Sequence, residues 1–478
     1  MVDIPINPVF AKALASAQQK FGADNVYVAD EHSKHIFGFD CPIAWGYMTG
    51  GTDKIPLRRV IGCDAPSGYF KSCLMMEHGR LALRSGCLLA IIDTEEKVSD
   101  TLVCSMLFRE HPNVRLNYAY AKASSVEQAQ EYIMHFKSMA KQQVEDNADP
   151  AKRAPWFVVW DSLTGRDTKD AQSKIEKEGS AAVRAYADAA GSIARFYKNF
   201  SFGDELLTLA HVQHVGRNMD ADARGDDEWK PKGGDEPKYA ATYHFRITNV
   251  SDIQSAEWQG KELTIKCVKS GLGPDKRRIR ARVLWKFVWV DLPQFTDDEE
   301  RTVISNDAAS MTYDEAEAYY EWTQQALSGR DAYVLRDFLK LDKPPKEDKR
   351  DQPHCQWPVT ERIRFQQTWW DWNWALGNLL VHGIKYNDKT FAQDKKDLDE
   401  ALYFVKGTNK NSVKCEELWG DSETRTLEEF GAAIDADPDI RRRIQTFLGI
   451  TRYKHFREVK LGEVSKARSG NRKKKTDG

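Results

Sequence analysis

Uninterrupted apolar runs, rather than alternation, mark the first three hundred residues. Val60-Ile-Gly-Cys63, Cys87-Leu-Leu-Ala-Ile-Ile92, Pro155-Trp-Phe-Val-Val-Trp160 and Leu206-Leu-Thr-Leu-Ala210 are of strand length and show no polar face. Such runs predict strands covered on both sides of a sheet. Between them lie segments of helical spacing: one opening with Cys73-Leu-Met-Met76, one over residues 121 to 145, and one from Ala181 to Phe200. Strand and helix in alternation predict an α/β fold with a mostly parallel central sheet.

Polar chemistry is confined to the ends of those runs, where an open α/β sheet presents its ligands. The first run passes through Asp64-Ala65-Pro66-Ser67-Gly68-Tyr69-Phe70 and stops at Lys71-Ser72. Strand, tight loop, Lys-Ser and helix is the order of a triphosphate-binding loop. Its regular form asks for glycine at 65 and 70, where this chain has Ala65 and Phe70; Gly62 and Gly68 are out of register. The second run ends in Asp93-Thr94-Glu95-Glu96, the third in Asp161-Ser162, and the fourth in His211. A metal-bound triphosphate needs a lysine on its outer phosphates, a hydroxyl such as Ser72 on Mg²⁺, and a carboxylate such as Asp161 beside the metal. Hydrolysis needs a second carboxylate to polarise water, for which Glu95, further into its loop, is better placed than Asp93. Each residue has a plainer reading: Lys71 on a helix surface, Asp161 as a cap, Glu95 as a solvated acid. Their order at successive strand ends favours the nucleotide site.

With these residues the chain resembles the RecA-fold recombinases, specifically the strand-exchange proteins of T4-like phages. Pro66-Ser67 followed by Phe70-Lys71-Ser72 is similar to their variant phosphate loop, in which Phe replaces the last glycine; Ala65 departs from the usual Gly. The resemblance implies an ATP and Mg²⁺ site at Pro66, Ser67, Gly68, Tyr69, Phe70, Lys71, Ser72 and Asp161, with Ser72 and Asp161 toward the metal and Glu95 as the water-activating base. Leu209-Ala210-His211 resembles the strand end that senses the γ-phosphate. Ala210 departs from Asn, leaving His211 or Gln213 as sensor.

Gly233-Gly234-Asp-Glu-Pro237-Lys-Tyr239-Ala240-Ala241 is similar to the stretch that closes the second DNA loop, where paired glycines allow a sharp turn. The family then implies DNA loops at about 168–180 and 214–232, with Lys174, Lys177, Arg217, Arg224, Trp229, Lys230, Lys232, Gly233 and Gly234 as DNA-facing residues. Five acids, Asp220, Asp222, Asp226, Asp227 and Glu228, oppose that charge. Ile265-Lys-Cys-Val-Lys269-Ser270 looks like the strand whose lysine reaches a neighbouring subunit's nucleotide. Gly271 replaces a second basic residue, whose charge Lys276, Arg278 or Arg280 would supply.

Outside this core the patterns are sparser. Pro8 to Phe21 is an Ala-rich helix candidate containing Phe10-Ala-Lys-Ala13, a form by which some recombinases bind a neighbour, and Val26-Tyr27-Val28 is a short strand candidate. Asp297 to Arg301 and Lys343 to Asp351 are charged breaks on either side of helical spacing from Tyr313 to Phe338. Trp369, Trp370 and Leu376 are expected to share one helix face and to serve packing or a subunit contact. Cys415 to Gly420, Leu427 to Phe430 and Ile440 to Ile450 have helical spacing, the last with a Gly449 stop. The division expected is an oligomerisation segment at 1–50, a RecA-like ATPase core at 51–290, a mainly helical C-terminal domain at 291–460 and a basic tail at 461–478.

Composition narrows this further. The 478 residues suffice for two or three domains, and 41% hydrophobic with 30% charged residues fit a globular chain. Lys+Arg 70 against Asp+Glu 72 leaves −2, which neither favours nor excludes nucleic acid because a binding face is local. No apolar run reaches membrane length and no signal peptide is present, so the expected location is a cytosol, that of the host if phage-encoded. Eight scattered cysteines without a CxxC pair read as buried thiols.

The function expected is therefore a DNA-dependent ATPase that forms a homo-oligomeric helical filament on single-stranded DNA and exchanges it with homologous duplex DNA, with single-strand-binding and mediator proteins as further partners and no membrane. Two alternatives remain: a ring-forming helicase or loader on the same fold, and a non-hydrolysing architectural filament protein.

Overall fold

The structure, a computed structural model, describes residues 37–98, 105–107, 117–146, 153–169, 172, 182–203, 205–217, 229–273, 277–291, 310–323, 335–336, 338–342, 344–356, 362–382, 385–386, 389–390, 405–409, 412–419, 423–450 and 452–455. It also describes residues 12, 15–17 and 19–20, which are helical, within the Ala-rich helix expected at Pro8 to Phe21. Val26 to Val28, Phe10 to Ala13 other than Lys12, Asp297 to Arg301, and the basic tail lie outside the described residues.

The expected runs form strands β3 (Val60–Ala65), β4 (Leu88–Asp93), β6 (Trp156–Asp161) and β7 (Leu207–Arg217). Every residue of β3 and β6 is buried, as a run with no polar face requires. These strands run parallel with β5 (Tyr118–Lys122) and β9 (Tyr243–Gln254) in the order β9-β3-β7-β6-β4-β5. From β9 the sheet continues as an antiparallel wing of β10 (Gln259–Ser270), β11 (Arg278–Asp291) and β14 (Arg362–Trp370). The short β8 (Trp229–Pro231) pairs with the end of β7, completing a mixed α/β sheet of ten strands, most of them parallel.

Helices cover both faces. On one side α3 (Val126–Asp146) presents Val126, Ala129, Ile133, Phe136, Ala140 and Val144 at helical spacing, beside α4 (Ala182–Asn199). On the other, α2 (Lys71–Arg84) is buried almost all round, because the sheet, α1 (Ile43–Met48) and the C-terminal part of the chain enclose it. Strand β1 (Phe37–Asp40) pairs with β2 (Lys54–Pro56) and with β20 (Lys454–His455), which ties the start of the folded core to a segment more than 400 residues on.

The expected boundary near residue 290 falls inside one sheet. Strand β11 runs to Asp291 and pairs with β14 from Val283↔Trp370 to Asp291↔Arg362. Trp369 and Trp370 consequently end a strand, and α7 (Trp372–His382) begins two residues later, so they do not share a helix face with Leu376. Trp370 donates to Cys73 O at 3.1 Å and Trp372 to Glu77 Oε1 at 2.9 Å, packing this region onto α2. Tyr313 begins α6 (Tyr313–Thr323), while the strand Ser412–Cys415, paired with Val405–Asn409, leads into the short α8 (Glu416–Trp419). Helix α9 (Leu427–Ala436) opens with a Thr426–Glu429 capping box, and α10 (Pro438–Phe447) opens on Asp437. Gly449, at φ +67°, stops the chain after α10 as expected. Seven described cysteines are free thiols, all buried except Cys73, which is half-buried. No helix among the described residues is long and apolar enough to cross a membrane.

Beneath the loop at 66–70 the sheet contains a polar layer. Asp64, fully buried, accepts two hydrogen bonds from Arg246 at 2.7 and 2.9 Å, and its Oδ2 lies 3.0 Å from His244 Nε2. Burial alone would raise the Asp64 carboxyl, but these bonds outweigh it and hold the group well below the usual range. A Cβ at Gly62 would lie 2.4 Å from His244 Nδ1 and 2.6 Å from His211 Nε2, so only glycine fits between the rings. Gly62→Ala is expected to destabilise the protein by about 1–3 kcal/mol through overpacking, read as a lower denaturant midpoint; an unchanged midpoint would show that the rings can move aside.

His78 sets a pH dependence. Its Nε2 accepts from Trp45 Nε1 at 2.8 Å and its Nδ1 donates to Leu74 O at 2.7 Å, which requires the neutral ring. Burial pushes it down from 6.5 to about 4. Between those values the unfolded chain binds the extra proton, so stability falls with falling pH by about 1.4 kcal/mol per unit. His211, lowered by burial, acts in the same direction. Unfolding free energies of wild type and His78→Asn between pH 7 and about pH 4 should converge as pH falls; parallel curves would refute the assignment.

Candidate functional site

The parallel strands end along one edge, and their register brings the expected residues together: Asp93 is opposite Asp161, Asp64 opposite Gln213, and Ala65 opposite His214. The loop of Pro66 to Phe70 rises from this edge, with Ser67 and Gly68 exposed and Pro66, Tyr69 and Phe70 half-buried, and leads into the N-terminus of α2. Phe70 has φ +59° and ψ 25°, the left-handed region. The loop thus adopts at position 70 the backbone that favours glycine, although the residue is Phe and the conformation costs about 1–2 kcal/mol. Its ring lies parallel to Trp285 of β11, at 6.3 Å and 16°, and such contacts contribute about 0.5–1.5 kcal/mol.

Lys71 is buried, and its Nζ donates to Pro66 O at 2.7 Å, within the loop itself. Burial lowers its pKa, opposed by the neighbouring carboxylates of Asp161 and Glu95. At the next strand end but one, the Asp161 carboxyl is pushed up to about 6, mainly by burial and also by Glu95 and Asp93, while a hydrogen bond from Ser72 works against the rise. The Asp161–Ser162 peptide is cis.

Asp93 is used up locally. Its carboxylate accepts from the backbone N–H groups of Glu95, Glu96 and Val98 at 2.8–2.9 Å and from Tyr120 OH at 3.1 Å, building the turn that presents Glu95. Glu95 Oε1 accepts from Ser162 Oγ and lies 2.6 Å from His214 Nε2, while Oε2 accepts from Lys97 Nζ. The His214 bond first, with those of Lys97 and Ser162, overcomes burial and keeps the Glu95 carboxyl well below its ordinary range. Glu95, Ser162 and His214 therefore join the ends of β4, β6 and β7.

The two sensor candidates separate. His211 is buried within the sheet, its Nδ1 2.9 Å from Tyr197 OH, and does not reach Lys71, Asp161 or Glu95. Its position opposite Gly62, short of the strand end, is the reason. Gln213 lies at the edge and donates through Nε2 to Lys232 O at 2.7 Å and Gly234 O at 2.9 Å. His214, which sequence reasoning passed over, is the side chain that meets Glu95. Its Glu95 contact spans three strand ends, so only an expectation that β7 runs past Ala210 could have signalled it.

The expected second loop has a ribbon at its base. β7 runs on to Arg217 and pairs antiparallel with β8, with Lys230 and Lys232 exposed and Trp229 half-buried. Gly233 and Gly234, at φ +84° and +89°, turn the chain back into the fold through α5 (Glu236–Ala240). Lys174, Lys177 and Arg224, the intervening 218–228, and the side chain of Arg217 lie outside the described residues. Thr168 and Lys169 at the start of the first loop are described; Lys169 N bonds Glu127 Oε2 at 3.0 Å. Lys269 is set apart from Lys71: its Nζ bonds the carbonyls of Lys238, at 3.3 Å, and Tyr239, at the end of α5. Arg280 pairs with Glu262, and Lys276 is outside the described residues.

The donor set is a lysine and a helix N-terminus for anions, with a hydroxyl and a carboxylate that suit a hard divalent cation. Compared with protein-family models and with curated proteins, the chain matches none. Because Gln213 of β7 bonds both the Lys232 and the Gly234 carbonyls, Gln213→Ala is expected to destabilise by about 1–2 kcal/mol and to speed hydrogen exchange over 229–235. Unchanged protection there would show the ribbon to be held by other contacts.

Proposed function

We propose that the chain is an ATP-dependent DNA recombinase of the RecA-fold type, which assembles on single-stranded DNA as a helical filament and pairs it with homologous duplex DNA. One observation carries this reading: a Lys-Ser loop, a buried carboxylate bonded to that serine, and an ionised glutamate lie together at the parallel strand ends of one sheet. Lys71 and the backbone N–H groups opening α2 would bind the phosphates of ATP. Ser72 and Asp161 fit Mg²⁺, because a hydroxyl and a carboxylate already in hydrogen-bond contact offer hard oxygen ligands. When bound, Mg²⁺ would offset phosphate charge during transfer. Asp161 takes up negative charge only reluctantly where it is buried, and Lys71 beside it favours the charged form.

Glu95 is the base that would orient and deprotonate the attacking water. Its ionised state is held by His214, Ser162 and Lys97, and its turn by Asp93. His214 also accepts Lys232 N–H through its backbone carbonyl at 2.8 Å, so one residue links Glu95 to the ribbon that carries the candidate DNA-facing lysines. Lys230 and Lys232 would contact backbone phosphates, a sequence-independent and salt-dependent mode suited to a protein that leaves base reading to pairing. The runner-up, a non-hydrolysing filament protein, is favoured by the same glutamate: both of its oxygens are already engaged.

ATP turnover stimulated by single-stranded DNA separates the two. Lys71→Ala and Glu95→Gln are each expected to lower it by roughly 100-fold or more, with Glu95→Gln still binding ATP. Turnover unaffected by both would overturn the site. Binding without turnover in the wild type, together with filaments on DNA, would favour the runner-up.

A further inference from the structure

We propose that Trp285 is a positioning residue for the phosphate loop, holding Phe70 in the left-handed conformation that presents the N-terminus of α2 to a phosphate. The inference rests on the nucleotide-binding reading above. The local bonds, Lys71 Nζ to Pro66 O and Leu74 N–H to Phe70 O, hold the loop and the helix start and leave the Phe70 side chain to its ring neighbours. Phe70 stands at the N-cap of α2 without any side-chain capping bond, and a bulky side chain disfavours positive φ. What it does have is a flat neighbour: the Trp285 ring, parallel to its own at 6.3 Å and brought in from a distant strand.

Trp285 is itself fixed from both sides. Its backbone pairs with Gln259 and with Thr368, and its Nε1 donates to Gln259 Oε1 at 3.4 Å. The same wing holds α2 one turn on, where Trp370 donates to Cys73 O. The wing thus acts on the loop through a ring contact at its last residue. The regular loop dispenses with such a contact, because glycine takes positive φ without strain. Where this chain has Phe, the position depends on a partner.

The dependence is testable by a double-mutant cycle. Binding of a fluorescent ATP analogue with Mg²⁺ would be measured for wild type, Trp285→Ala, Trp285→Phe, Phe70→Gly and the double variant Phe70→Gly/Trp285→Ala, with thermal unfolding as a check on folding. Trp285→Ala is expected to weaken binding roughly three- to tenfold, and Trp285→Phe to stay near wild type. In the Phe70→Gly background the Trp285→Ala change should have no effect. A Trp285→Ala variant that binds like wild type overturns the proposal, as does a loss of the same size in the glycine background, which would mark a general packing role. Hydrogen exchange over 66–72 in the nucleotide-free protein gives a second readout: faster in Trp285→Ala, indifferent to Trp285 once residue 70 is glycine. If the wild type binds no nucleotide, the functional reading fails, and the exchange data still decide whether Trp285 positions the loop.

Discussion

Asp64, a carboxylate with no exposure, lies at the centre of the sheet two residues before the loop begins, and much of the architecture follows from keeping it satisfied. A buried charge without partners would cost several kcal/mol, and removing one partner of such a pair typically costs about 3–5 kcal/mol. Its partners, Arg246 and His244, both come from β9, so the pairing locks β9 against β3 in one register. From β9 the chain folds back twice to form β10 and β11, and β11 carries Trp285 to Phe70. The polar layer under the loop and the aromatic contact above it are thus two ends of one connected path.

A second constraint acts at the strand ends. The interiors of β3, β4 and β6 offer almost no polar side chain before their last residues, so hydrogen-bonding and charged groups collect at one edge. There they satisfy each other: Asp93 the turn, Thr94 the Ser162 carbonyl at 2.6 Å, Glu95 the Ser162 hydroxyl and His214. The result is an ordered edge, and on the proposed function it would supply the preorganisation that electrostatic catalysis uses. On the same proposal a nucleotide would exchange existing hydrogen bonds, such as that of Lys71 to Pro66 O, for its own.

Legibility differed by the range of the interaction. Strands β3, β4 and β6, the start of β7, and helices α2 and α4 were readable to within a residue or two, and α3 to within five, because burial on both faces demands continuous apolar runs; β5 and β9 were not expected. Lys71, Ser72, Glu95 and Asp161 were readable as strand-end groups for the same reason, and the structure brings them to one edge. His211, one of the two sensor candidates, lies short of the strand end because β7 is longer than its apolar run: Val212 to Arg217 mixes polar and apolar residues, and tertiary pairing with β3 and β8 decides that it is strand. Residues 121 and 122 likewise close a strand rather than open a helix. The Trp cluster was read on one helix, whereas pairing with β11 makes Trp369 and Trp370 part of a strand.

By itself, the sequence determined the α/β class, the parallel order of chemistry at the strand ends, and the substitution of Phe70 for glycine, since each depends on local pattern: hydrophobic runs, turn residues and the spacing of Lys-Ser. Only the tertiary structure decided what makes Phe70 tolerable, which histidine meets Glu95, and that residues beyond 290 extend the same sheet. Those three depend on contacts between segments far apart in the chain, Phe70 with Trp285, Glu95 with His214, and β11 with β14. A local pattern records how a residue is buried; it does not record which distant side chain buries it.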